Sequence, residues 1–144
     1  MEQALAEAGA AAARGEVPVG AVIVDAASGE VLARAGNRMR QGDDPTAHAE
    51  MAVIRDAAAR LGSERLGGCD LYVTLEPCPM CAQAISFARI RRLYFGAADE
   101  KGGGVENGPR IFAAASCHHA PEIYGGIDEK RAATLLRDFF RDRR

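Results

Sequence analysis

The 144-residue chain has no apolar run near the roughly 18 residues that a membrane-spanning helix needs, so no such helix is expected. Its start, Met1-Glu2-Gln3-Ala4, carries neither a basic segment nor an apolar one, which argues against a secretory leader and for the cytoplasm. There is no internal repeat, no linker-like stretch and no excess of positive charge. The formal net charge is −2, which rules out a chain coated in basic residues. Cysteine is scarce too, with four residues: Cys69, Cys78, Cys81 and Cys117. In a reducing compartment a C-x-x-C pair is more often metal-binding or catalytic than a structural disulfide. A hydrophobic content of 48% and a charged content of 26% match an ordinary globular protein, and 144 residues suit one domain with a single core.

What is present is concentrated. His48-Ala49-Glu50 is followed by Pro77-Cys78-Pro79-Met80-Cys81, a pattern H-x-E…P-C-x-x-C. Structural zinc sites close with four protein ligands, whereas catalytic ones keep a position for water. His48, Cys78 and Cys81 make three good ligands, and Glu50 is a carboxylate left over, so the set points to hydrolytic zinc chemistry. Cys78 and Cys81 at a helix start can reach one ion, and the helix N-terminus favours their thiolate forms. Glu50 lies two residues after His48, nearly opposite it on an ideal helix. Both serve one site only if that site lies off the helix end, where free N–H groups point. Glu50 can then take a proton from water and return it to a leaving nitrogen. By itself the C-x-x-C also fits a zinc knuckle or a redox pair. Cys117-His118-His119 is the only candidate for a fourth ligand and otherwise reads as metal-free loop. Cys69 reads as a small buried hydrophobe at the start of a strand.

The periodicity predicts a helix over 3–14 stopped by Gly15, and strands over Gly20–Asp25 and Glu30–Ala35 joined as a hairpin. A helix is expected from about Ala47 to Leu61 with Thr46 as N-cap, and a strand over Cys69–Thr74. A helix from Pro77 to about Arg89 and a strand over Arg92–Gly96 follow, then a Gly-rich loop over 99–108. A short helical piece near Arg110–Ala115, a strand at Glu122–Tyr124 and a last helix over Asp128–Arg143 capped by Asp128 complete the chain. Strands alternating with helices give an α/β layered fold with a mixed sheet. Residues 130–144 carry six basic side chains against two acidic ones, so the rest of the chain is net −6 and charge is segregated toward the C-terminus.

Five stretches, together with the tail from Leu135 to Arg144, carry a resemblance to bacterial tRNA-specific adenosine deaminases of the cytidine-deaminase-like superfamily. They are Glu16–Val24, Gly36-Asn37-Arg38, Asp44–Glu50, Tyr72–Cys81 and Arg89–Ala97. H-x-E with P-C-x-x-C belongs to the whole superfamily and indicates the chemistry; the phrase around Asn37 and the tail favour the tRNA branch. The resemblance implies a three-layer α/β/α sandwich around a mixed five-stranded sheet, one Zn2+ per subunit, a homodimer, and tRNA as partner. It implies deamination of the wobble adenosine of an anticodon loop to inosine, with the base flipped into the pocket and Glu50 shuttling protons. Asn37, Val17 and the Ala49 backbone would hold the base, and Asp99 and Lys101 would sit beside the anticodon loop. Phe140 and Arg143 would face RNA, since single strands are gripped by stacking and Arg–phosphate contacts. Leu135, Leu136, Phe139 and Phe140 also read as plain core, so a split is expected, with one phenylalanine inward and the other toward substrate. The hairpin turn Asp25–Glu30 is longer than in known relatives, and Gly102–Gly126 matches them poorly. A free-base or nucleoside deaminase of guanine or cytosine type is the alternative on the same scaffold, and a zinc-stabilised RNA-binding module a third reading. The basic tail favours RNA over a free base, and Glu50 disfavours a mere binding module.

Overall fold

The computed structural model describes residues 1–143. Its elements run α1 (Glu2–Ala13), β1 (Gly20–Asp25), β2 (Val31–Gly36), α2 (Ala49–Leu61), β3 (Cys69–Leu75), α3 (Pro79–Ala88), β4 (Arg92–Ala97), a 3-10 turn (Ile111–Ala113), β5 (Glu122–Tyr124) and α4 (Glu129–Arg141). The sheet order is β2-β1-β3-β4-β5. β1 is antiparallel to both its neighbours, and β3, β4 and β5 are parallel. The hairpin forms because Asp25 folds the chain back. Its side chain accepts from Ala27 N–H at 2.9 Å, its carbonyl accepts from Gly29 at 2.7 Å, and Gly29 takes φ 75° at little cost. Parallel strands need a crossover, and α3 supplies it between β3 and β4.

Helices cover both faces of the sheet, which gives the α/β/α layering expected from the resemblance. α2 and α3 pack on one face, where Val53, Ala57 and Ile85 close over Ile23, Leu71 and Phe95. α1 and α4 cover the other, where Leu5, Ala97 and Ala132 meet with Leu135 partly buried beside them. The approach on this second face is close enough to demand glycine. A Cβ on Gly20 would collide with the Ala4 carbonyl, and one on Gly96 would lie 2.5 Å from the Thr74 carbonyl oxygen and 2.9 Å from the Ala132 Cβ.

Three expectations are corrected. α2 begins at Ala49 with His48 as its N-cap, not Thr46. Asp44 captures Thr46 instead, accepting from its hydroxyl at 2.7 Å and its N–H at 2.8 Å. Asp128 does stand at the N-cap of α4, but with φ 55° and no side-chain capping bond; its carboxylate lies 4.0 Å from Arg131. α4 also ends at Arg141 rather than Arg143. Arg144 of the basic tail lies outside the described residues. Phe139 is buried, as expected of one member of this pair, and Phe140 is half exposed.

Candidate active site

Two helix starts meet at one point. β3 delivers Cys78 as N-cap of α3, with Pro79 in the first turn, and the loop after β2 delivers His48 as N-cap of α2. His48 Nδ1 lies 3.6 Å from Cys78 Sγ and 3.5 Å from Cys81 Sγ. A tetrahedral zinc with bonds of about 2.1 Å to nitrogen and 2.3 Å to sulfur sets N···S edges of about 3.6 Å, so this donor set fits the ion. His48, Cys78 and Cys81 are the one such group of three or more ligating side chains among the described residues. Cys117-His118-His119 does not join it. Cys117 Sγ donates to the His119 carbonyl at 3.0 Å, and His119 Nε2 donates to the Ile90 carbonyl at 2.7 Å. Three ligands leave a tetrahedral position open, as hydrolysis requires.

The extended backbone of His48 (φ −73°, ψ 151°) also resolves the placement of Glu50. Because His48 stands outside the helix, its ring and the Glu50 carboxyl need not lie on one helical face to share a site. Both line a cavity of about 220 Å³ with Val17, Asn37, Cys78 and Asp99. Glu50 is only 3% exposed, and burial pushes its carboxyl above the usual carboxylate range, against the pull of Cys81 and His48. In the metal-free protein the two cysteines divide their protons unequally. The Cys81 thiol beside it holds Cys78 down at about 4, against the cost of burial and with help from His48. Cys81 is driven up by its bond to Cys78, by burial and by the Glu50 charge. The Cys78 interaction raises His48, despite its burial. A cation is what would relieve this crowding of negative charge. Cys69 is buried and its thiol raised by burial, which suits a packing role.

The expected substrate-side residues divide. Val17, Asn37 and Asp99 line the cavity. Asn37 is held by its own acceptor: Oδ1 takes the Ala49 N–H at 2.9 Å, which leaves the amide Nδ2 for the cavity. The same bond takes the Ala49 N–H, and the Ala49 side chain is fully buried. Lys101 is exposed and stays outside the lining; its backbone N–H donates to Asp99 Oδ1 at 3.2 Å. Phe140 and Arg143 are also outside it. Phe140 shares an open groove on α4 with Leu136, Arg137 and Arg141, and Arg143 folds back over the Phe139 ring at 3.5 Å.

The sequence reading passed over Met39 and Glu76, which also line the cavity, and Glu16, which shapes it. Glu16 is buried and accepts from the N–H groups of Arg40 at 3.2 Å and Gln41 at 2.8 Å, fixing the loop that carries Asn37 and Met39. Glu76 accepts from the loop that carries Asp99. For Glu16 and Glu76 a signal existed: a carboxylate beside an apolar stretch, with a loop rich in backbone donors elsewhere in the chain.

Residues 1–97 match the family described as the cytidine and deoxycytidylate deaminase zinc-binding region. The tRNA-specific adenosine deaminase of Agrobacterium fabrum is 62% identical over 144 residues, covering 100% of this chain and 93% of the relative. That of Bacillus subtilis is 43% identical, covering 100% and 88%. A solved structure from a study of A-to-I editing by tRNA:A34 deaminases superposes with a TM-score of 0.91 at 62% identity, covering 94% of this chain and 97% of that one. With its three-ligand zinc site, its mixed five-stranded sheet and these likenesses along its whole length, the chain belongs to the tRNA-specific adenosine deaminases, a branch of the zinc-dependent deaminase family.

Proposed function

We propose that this protein deaminates the wobble adenosine of a tRNA anticodon loop to inosine, releasing ammonia. The observation that carries the proposal is the joint opening of His48, Cys78 and Glu50 into one cavity of about 220 Å³, in a chain 62% identical to a tRNA-specific adenosine deaminase. A duplex or stacked base cannot enter so small a space, and a base flipped out of its loop can. His48, Cys78 and Cys81 hold one zinc ion per subunit. When bound, zinc supplies the Lewis acidity that makes water a competent nucleophile near neutral pH. Glu50 takes the proton of the attacking water as oxygen adds to C6, then delivers it to the exocyclic nitrogen, which leaves as ammonia. Burial suits Glu50 to this task, because a carboxyl with a raised pKa both accepts and returns a proton. The Asn37 amide offers its N–H to an acceptor on the base or ribose, and Val17 with Leu75 forms apolar wall. Asp99 bounds the mouth with Lys101 in the same turn.

The sheet runs through residues 20–124 and the terminal helices meet across it, where Arg131 pairs with Glu2; this supports residues 1–144 acting as one domain. Phe87 on α3 is 70% exposed beside Ile54, Ala58 and Ala84, an apolar face that supports a homodimer formed through α2 and α3. The exposed Phe140 with Arg137 and Arg141 supports a stacking and phosphate-binding role for α4, with Arg143 at its end. A tRNA substrate supports a cytoplasmic enzyme, and no described helix is long and apolar enough to cross a membrane.

The deciding experiment incubates the zinc-loaded protein with an anticodon stem-loop bearing wobble adenosine, beside free adenosine, guanine and cytosine. Inosine formed only in the stem-loop is the expected result. Ammonia released only from a free base would overturn the tRNA reading in favour of a small-molecule deaminase.

A further inference from the structure

We propose that Glu76 is a positioning residue for the deaminase reaction, holding residues 99–107 as the rigid wall against which the substrate is aligned. The proposal rests on the function stated above. Glu76 is the last residue before Pro77-Cys78, at the end of β3, and is 2% exposed. No cation side chain among the described residues pairs with it. Five N–H donors of one loop satisfy its carboxylate instead. Oε1 accepts from Asp99 N–H at 3.1 Å and Asn107 Nδ2 at 2.7 Å. Oε2 accepts from the backbone N–H groups of Val105 at 3.1 Å, Glu106 at 3.0 Å and Asn107 at 3.0 Å.

An Asp-to-Asn stretch of nine residues with three glycines has no helix or strand to order it, and its length and composition favour a mobile loop. The carboxylate supplies the order by gathering donors from both ends of the loop onto one point. Two further contacts fix where the gathered loop lies. Gly104 N–H donates to the Pro77 carbonyl at 2.8 Å, and a Cβ on Gly104 would sit 2.6 Å from Pro79 N, so the loop is seated directly on the turn that carries Cys78. A Cβ on Gly103 would collide with Glu76 Oε2 and approach the Asp99 carbonyl oxygen to 2.5 Å. From this seat the loop presents Asp99 and Gly102 to the cavity opposite Val17 and Asn37. Glu76 therefore ties the cavity wall and the ligand-bearing turn into one unit, although it is neither a ligand nor the proton carrier.

The geometry separates this role from simple space filling. Glutamine has the shape of glutamate but only one acceptor oxygen; its NH2 group would face either the two donors at Oε1 or the three at Oε2. Glu76→Gln should therefore release the loop, whereas a residue that only fills space would be replaced without effect. Backbone amides of 99–107 are measured by hydrogen–deuterium exchange in the zinc-loaded protein, with metal content, and the kinetics are measured on the wobble-adenosine stem-loop. The expected result is exchange faster by about tenfold or more in 99–107 alone, one zinc per chain retained, a KM raised about tenfold, and kcat within about threefold. Gly103→Ala, which displaces the loop with the carboxylate intact, should give the same signature and carries the test if the glutamine variant fails to fold. Wild-type exchange and KM in both variants would overturn the proposal, as would faster exchange with no change in KM, or loss of zinc without faster exchange. Wild-type protein inactive on the stem-loop would instead overturn the tRNA reading, and the exchange result would still report on the clamp.

Discussion

The two faces of the sheet are built to different ends. On the α2–α3 face, helix starts aim His48, Glu50 and Cys78 into one cavity, and carboxylates are buried around it. On the α1–α4 face, helices approach over glycine and alanine, and the charges pair at the surface, as Arg131 does with Glu2 and Arg141 with Asp138. Burial concentrates electrostatics on the first face, and solvent screens them on the second. A single sheet thus supports chemistry on one side and close packing with an exposed basic groove on the other.

This contrast breaks most sharply at the ligands. Cys81→Ala, in a fully buried position, should take zinc content from one per chain to near zero and turnover below detection, read by metal analysis and stem-loop deamination. Glu50→Ala should keep one zinc and the fold while turnover falls by about a thousandfold or more, since only the proton carrier is gone. Retained turnover would remove Glu50 from the mechanism. On the other face the order of effects inverts. Gly20→Val should destabilise the protein by about 3 kcal/mol through collision with α1, in thermal or urea unfolding, while turnover per folded molecule is unchanged. The smallest effect is expected at Phe140, which is 50% exposed. Phe140→Ala should leave stability within about 0.5 kcal/mol and raise the stem-loop KM about fivefold, the loss of about 1 kcal/mol of stacking, with no effect on a free nucleoside.

Legibility followed the range of the interaction. The metal ligands were readable because ligand chemistry restricts residue types, and His48, Cys78 and Cys81 carry it in their own side chains. Most strands were readable from their apolar runs, and β1 occupies the expected residues. Thr46 failed as an N-cap because His48, two residues later, keeps an extended backbone and the helix starts behind it, while the Thr46 hydroxyl donates to Asp44. Nothing in the sequence shows that Asn37, 12 residues earlier, takes the Ala49 N–H. Glu16 and Glu76 were missed for a related reason: their partners lie 23 to 31 residues along the chain.

The sequence by itself determined the chemistry, because zinc and a proton carrier demand particular side chains and a helix start favours thiolate. It also determined the alternation of strands and helices, since burial of one face imposes its period on the residues. Only the tertiary structure decided how those groups are aimed: His48 outside its helix, Asn37 locked by Ala49, and the cavity walls held by buried carboxylates. Such placements depend on hydrogen bonds between distant segments, and an unpaired donor or acceptor finds its partner only once packing has excluded water.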